Sequence, residues 1–273
     1  MIIHHLKKEI VNYLKILNIN SFLQSLIYNY NIMNQELESY NLHINFNNQI
    51  IYDIGANEGV MTNFFLKNSN NSEIIAVEPH KNNVDILKKK FKDTNITILD
   101  YAINTFDGTC FLGLEQQEKT NGLKQGHVLD NNKDYQNRQW EKTNKVNCIK
   151  LDTLCKNATI IKMDIEGFEH KILYNSVNLL SNLHTIMLEI HSWEDLENHG
   201  WTIKQHKKEN DSLNKLINYL IDNKFSNIIL AKKHKIKVKV DKNIYWTDIP
   251  LSSYKKNEKK VYYKVINLIL KKL

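Results

Sequence analysis

The sequence predicts an α/β fold, an open, mostly parallel, Rossmann-like sheet with helices on both faces. Three observations point to it. The apolar run Ile50 to Tyr52 ends in Asp53, and glycines follow at Gly55 and Gly59. A second apolar run, Ile74 to Val77, ends in Glu78. Between them Val60 to Lys67 carries apolar residues at helical spacing. Strand, glycine turn, helix and strand make the βαβ unit that opens a nucleotide-binding sheet.

Each part of that unit has a physical reason. Gly55 allows a tight turn and a close approach of backbone to ligand, because it has no Cβ. Asn57 stands where a third glycine is usual, and Asn tolerates positive φ best after Gly. Amides at the start of the next helix then point into a crevice. An acid about 20 residues past the glycines, as Glu78 is, can accept both hydroxyl hydrogens of a ribose.

Composition sets the bounds. The chain has 273 residues, 42% of them hydrophobic, enough for one sizeable core plus an appendage. Only 2 prolines and 8 glycines argue against long flexible linkers. Three cysteines without a C-x-x-C pair give no disulfide framework or zinc site, so a reducing, cytoplasmic setting is the expectation. No apolar run approaches the ~20 residues of a membrane helix. The net charge of +7 is uneven, because residues 207–273 hold 17 lysines against 6 acids. The basic character therefore belongs to the C-terminal part.

In chain order, residues 1–45 read as an N-terminal helical cap, with Leu6, Ile10, Leu14 and Leu17 at spacings of three and four. Residues 46–195 read as the nucleotide-binding core. A helix from His80 to Lys92 turns Val84, Leu87 and Phe91 inward, and Ile96 to Leu99 is the next strand. Tyr101 would lie beside a bound base or in the core. Asp107-Gly108 signals a turn into a hairpin-like strand at Cys110 to Leu112. Residues 113–145 read as a long irregular segment, either a lid or a tolerated insertion. Val146 to Ile149 is a short strand, and Leu151 to Leu154 a turn or short helix. Thr159 to Asp164 is a buried strand, with a helix after it to about Leu180, and Thr185 to His191 is a further strand.

Residues 196–273 read as basic strands and helices that complete the sheet. Ser212 to Leu220 predicts a helix. Ile236, Val238 and Val240 alternate with lysines as an edge or antiparallel strand, and Val261 to Leu270 predicts a closing amphipathic helix.

Taken together, Asp53 to Gly59, Val77-Glu78-Pro79, Ala102 with Asp107-Gly108, Leu151-Asp152, Lys162 to Glu169 and Glu189-Ile190-His191 resemble the FkbM family of S-adenosylmethionine-dependent methyltransferases. The resemblance spans about residues 50–191. It implies a class I methyltransferase fold with a seven-stranded, mostly parallel sheet, and O-methylation of a hydroxyl, often on a sugar or a glycosylated product. It implies that Asp53, Gly55, Asn57 and Gly59 line the methionine moiety. Glu78 would hold the ribose, and Tyr101 and Ala102 would sit near the adenine. Ala56 and Pro79 complete the cofactor-binding set. Asp164 would face the sulfonium side.

Four residues at strand ends are candidates to take the proton of an acceptor hydroxyl: Asp164, Glu166, Glu189 and His191. A base of suitable pKa contributes about 10²–10⁴-fold. Each has a structural alternative. Glu166 and Glu169 would suit the first turn of a helix. Glu189 would pair with Lys162, and His191 with backbone. One His and two acids are too common a set to mark a metal site, so no metal is expected.

The expected partner is a small-molecule or glycan hydroxyl acceptor, with a nucleotide-sugar, membrane surface or nucleic acid as an anionic partner of the basic C-terminal region. An oligomer is compatible with the chain. Two rival functions use the same signals. An RNA methyltransferase would exploit the basic region with its Tyr and Trp residues. An NAD-dependent oxidoreductase would exploit the glycine loop and ribose acid, but its catalytic constellation is not evident.

Overall fold

The computed structural model describes residues 37–38, 40–115, 126–129, 140–166, 168–176, 179, 183–191, 225–230, 237–238, 249–250, 261–262 and 265–272. The chain forms two compact units, Met1–His43 and Ile44–Leu273. In the first, residues 40–43 are helical. The predicted helices of residues 1–35 and of Ser212 to Leu220 lie outside the described residues.

The second unit opens with β1 (Ile50–Ile54), α1 (Val60–Asn68), β2 (Glu73–Val77), α2 (Lys81–Lys90) and β3 (Thr97–Leu99). Next come β4 (Ala102–Asn104), β5 (Gly108–Glu115), β6 (Gly126–Leu129), β7 (Trp140–Lys150) and α3 (Leu151–Leu154). Then follow β8 (Ile160–Met163), α4 (Glu169–Tyr174) and β9 (Thr185–His191). The last strands are β10 (Phe225–Leu230), β11 (Lys237–Val238), β12 (Ile249–Pro250), β13 (Val261–Tyr262) and β14 (Val265–Lys272).

The main sheet has the order β12-β10-β14-β9-β8-β1-β2-β3. The strands β3, β2, β1, β8 and β9 are parallel, while β14, β10 and β12 pair antiparallel. The sheet is thus Rossmann-like and mostly parallel. β1 lies between β2 and β8, so the chain leaves it in one direction and returns on its other side. A crevice opens at such a switch point, beyond the strands' C-terminal ends.

Residues buried on both faces explain the central strands. Ile51, Ile54, Ile161, Met163, Ile186 and Leu188 are at most 2% exposed. Each such side chain contributes roughly 1.5–3 kcal/mol on burial. On one side α1 turns in Thr62, Phe64 and Phe65, and both phenylalanines pack against Phe46. Leu87 and Phe91 of the α2 segment pack with Ala56 and Ala76. Lys88, Lys89 and Lys90 fill the last turn of α2, where cations suit the partial negative charge of the carbonyl end. Ile172 and Leu173 of α4 join the larger cluster with Ile54 and Ile161.

Several expectations need correction. The sheet has eight strands where seven were expected, the added one being the two-residue edge β12. Val261 to Leu270 is not a helix but β13 and most of β14. β14 is paired on both edges, by β9 and β10, and its apolar residues Val265, Ile266, Leu268, Ile269 and Leu270 show no strict alternation, so periodicity alone does not tell strand from helix. Asp107-Gly108 does turn the chain, but β4 and β5 do not pair with each other. Both pair with β7, in a separate sheet ordered β4-β7-β5-β6. Residues 113–145 are accordingly not irregular throughout, since the end of β5, all of β6 and the start of β7 fall within them. The helix expected to reach Leu180 ends at Tyr174. The lysine-alternating segment contributes β11, antiparallel to β13.

The cysteines Cys110, Cys148 and Cys155 are free and buried. Burial pushes the Cys110 thiol up to about 12, so it is no thiolate at neutral pH. Among the described residues, no helix is long and apolar enough to cross a membrane.

Candidate functional site

A cleft opens at the switch point. It is lined on one wall by Gly55, Asn57, Glu78, Pro79 and Asn83, and on the other by Asp164, Ile165 and Glu166. Tyr101, Ala102 and Ile103 close its end, over Ile54 and Val77. Its empty volume, open mouth included, is about 610 Å³.

The glycine loop is held from both sides. The amides of Gly55 and Ala56 both donate to the carbonyl of Val77 on the neighbouring strand. Gly55 has φ of 75°, and a Cβ there would stand 1.9 Å from the carbonyl oxygen of Asp164. Glycine is therefore required by the opposite wall as well as by the turn. Asn57 has φ of 50°, as its substitution for glycine predicts. Gly59 is different. It is the left-handed cap of α1, and a Cβ there would lie 2.6 Å from both Leu87 and Phe91. Gly59 and the buried Ala56 therefore pack the loop onto α2 and do not line the cleft.

Glu78, 6% exposed, is the hub of this wall. Its Oε2 accepts from the Asn57 amide at 2.9 Å, and its Oε1 from the His80 amide at 2.9 Å. The Asn83 amide group donates to the same Oε1 at 3.4 Å and to Asn57 Oδ1 at 3.2 Å. Burial raises the Glu78 pKa, and these hydrogen bonds offset part of the rise. Each carboxylate oxygen has two lone pairs; Oε1 already takes two donors and Oε2 one, so capacity for a ligand hydroxyl remains on Oε2.

The opposite wall is built on β1 and β8. Asp164 donates its amide to Ile54 O at 3.1 Å and so continues the pairing past the strand end. Glu166 follows with φ of 59°. A left-handed, non-glycine residue in a cleft marks a conformation that its surroundings enforce. Glu169 supplies part of that enforcement, accepting from the Ile165 amide at 2.7 Å. It lies in the first turn of α4, as the structural alternative held, whereas Glu166 precedes the helix and lines the cleft.

Asp53 sits beneath this wall at 0% exposure and does not line the cleft. Its Oδ2 accepts from the Thr62 hydroxyl at 2.6 Å, and its Oδ1 stands 3.8 Å from Lys162 Nζ. Burial raises the Asp53 pKa, with Lys162 and Thr62 working against the rise. Lys162 also lies 3.5 Å from Asp164 Oδ2. Burial disfavours its charge, but Asp164, Asp53 and Glu189 outweigh that effect and hold its pKa above the usual range.

Of the four catalytic candidates, Asp164 and Glu166 line the cleft, and Glu189 does not. Glu189 lies on β9 within electrostatic reach of Lys162. His191 ends β9 with its backbone opposite Val265, and its side chain lies outside the described residues. Sequence reasoning missed Asn83 and underrated Lys162. Both left a signal, a polar residue on the inward stripe of α2 and a charge inside the apolar run Ile160 to Met163.

The family model of the methyltransferase FkbM domain matches residues 53–226. A search of curated proteins finds no match. Three solved structures show distant likeness. Precorrin-6y C5,15-methyltransferase from Geobacter metallireducens is 11% identical over 88% of this chain and 87% of its own, with a TM-score of 0.42. An S-adenosylmethionine-dependent O-methyltransferase from Thermotoga maritima is 10% identical over 88% of this chain and 65% of its own, also at 0.42. Fibrillarin from Aeropyrum pernix, solved with natively bound S-adenosylmethionine, is 9% identical over 87% of this chain and 73% of its own, at 0.40. At this distance none of the three bears on the role of any residue.

Proposed function

The chain belongs to the FkbM methyltransferase family, and on that premise we propose that it moves a methyl group to a hydroxyl of a sugar, glycan or glycosylated metabolite. Dependence on S-adenosylmethionine goes with the family. One observation carries the finer reading. The cleft that joins the glycine loop to Glu78 also holds two further carboxylates, Asp164 and Glu166, on its facing wall.

The residues fit the donor. Bare backbone at Gly55 admits close contact, and Glu78 keeps acceptor capacity for a ribose. The acidic facing wall suits a cation. S-adenosylmethionine, when bound, supplies a methyl group on a sulfonium, already a good leaving group. The chain's share is then largely alignment, worth up to ~7–11 kcal/mol in ideal cases. Gly55, Asn57 and Glu78 bind and orient. Tyr101 and Ala102 line the cleft where the adenine would lie. An alcohol oxygen must lose its proton, and a carboxylate oxygen of Asp164 or Glu166, both lining the cleft, would take it. Carboxylates also accept from the neighbouring hydroxyls of a sugar, which favours that acceptor class.

The test is a screen with isotope-labelled methyl donor against glycans, small alcohols and RNA, read by mass spectrometry. Label in a methyl ether of a sugar is the expected result. Label appearing in RNA or on an amine nitrogen would overturn this reading.

A further inference from the structure

Lys162 stands at the centre of a charged cluster beneath the acidic wall. Asp53 is its direct partner in the parallel register of β1 and β8. Asp164 follows two residues later, on the same face of the sheet. Glu189 lies two residues beyond Met187, the partner of Lys162 on β9, and so shares that face too. The ammonium is 3.8 Å from Asp53 Oδ1 and 3.5 Å from Asp164 Oδ2. The side chain of Lys162 is 11% exposed, that of Asp53 0% and that of Asp164 27%. A single cation thus bridges an acid sealed in the core and an acid that lines the cleft.

A lysine inside an apolar strand is costly unless its charge is matched. Matching Asp53 alone would suffice for that, yet the ammonium lies slightly nearer Asp164. Asp53 and Asp164 are close enough to repel each other, and Lys162 bridges them. Without Lys162, that repulsion would favour a protonated Asp164.

We propose that Lys162 is a positioning residue of the transfer site, holding Asp164 ionised on the cleft wall and thereby setting the acid limit of activity. This rests on the donor-cleft reading above. The competing role is purely structural, neutralisation of buried Asp53.

The two roles separate in a double variant, Lys162→Met with Asp53→Asn, which removes both buried charges together. The Asp164 carboxyl is followed by carbon-13 NMR against pH, its resonance assigned with Asp164→Asn. The proposal expects its midpoint to rise by about one pH unit or more in the double variant, with the acid limb of the transfer rate moving by the same amount. Lys162→Arg should leave the midpoint near wild type. An unmoved midpoint in the folded double variant would overturn the proposal. Should that variant not fold, Asp53→Asn alone serves. It leaves Lys162 to Asp164, so the midpoint must stay or fall, and a rise sinks the idea. Calorimetry of S-adenosylmethionine on the wild type is read separately. No binding there would sink the donor reading, and the titration would still decide the role of Lys162.

Discussion

The two walls of the cleft are built on opposite plans. The wall of β1, β2 and α2 is a closed hydrogen-bond system, in which Glu78 receives the amides of Asn57 and His80 and the side chain of Asn83. The wall of β8 is a charge system, in which Lys162 faces Asp53 and Asp164 at 3.5–3.8 Å and Glu166 holds a left-handed backbone. The first plan gives fixed geometry and little net field. The second gives a field that depends on protonation. A ligand's neutral sugar suits the one, and a cationic centre with a departing proton suits the other.

The largest effect should come from joining the walls by force. Gly55→Ala places a Cβ 1.9 Å from Asp164 O at φ of 75°, and backbone cannot yield as a side-chain tip can. Loss of donor binding is expected by calorimetry, with destabilisation of about 3 kcal/mol or more in urea melts. Next comes the charged wall alone. Asp164→Asn should lower kcat by about 10²–10⁴-fold while the fold survives, if Asp164 takes the proton. The same loss in His191→Ala, with Asp164→Asn fully active, would move that role to β9.

The hydrogen-bonded wall should respond more gently and in binding. Glu78→Ala leaves the buried amide of His80 without its acceptor, at about 1–3 kcal/mol, and the part-buried amide of Asn57 at less. Donor affinity should fall while kcat at saturation changes less. The pH dependence has a definite sign. The folded pKa of Glu78 lies above the ordinary 4.5 of a glutamate side chain, so the folded state holds this proton more tightly than the unfolded chain does. The contribution of Glu78 to stability is therefore lost as pH rises from 4.5 through its folded pKa. Donor binding should run the other way, weakening as pH falls through that same range. Asn83→Ala should be the mildest change, about 1 kcal/mol, because it removes long bonds of 3.2 and 3.4 Å and leaves the backbone donors in place.

The same contrast governs what the sequence disclosed. The β1-α1-β2-α2-β3 stretch was legible because turn chemistry and short-range periodicity dictate it. Gly55, Asn57 and Glu78 could be placed at the cleft from spacing alone. Gly59 does not line the cleft, and nothing local says that its missing Cβ makes room for Leu87 and Phe91. β14 was read as a helix, because its short apolar run shows no strict alternation, and periodicity alone does not separate helix from strand in such a run. The charge cluster is a matter of register. Asp53 and Lys162 are 109 positions apart in sequence, and only the pairing of β1 with β8 makes them neighbours.

The most direct measurement is calorimetric titration of S-adenosylmethionine into the wild type and Glu78→Ala, with NAD as the control ligand. One donor bound per chain is predicted, with affinity at least tenfold weaker in Glu78→Ala, the counterpart of about 1.4 kcal/mol, and no heat from NAD. Equal affinity in the two proteins, or binding of NAD in place of the donor, would contradict an adenosyl site between these walls.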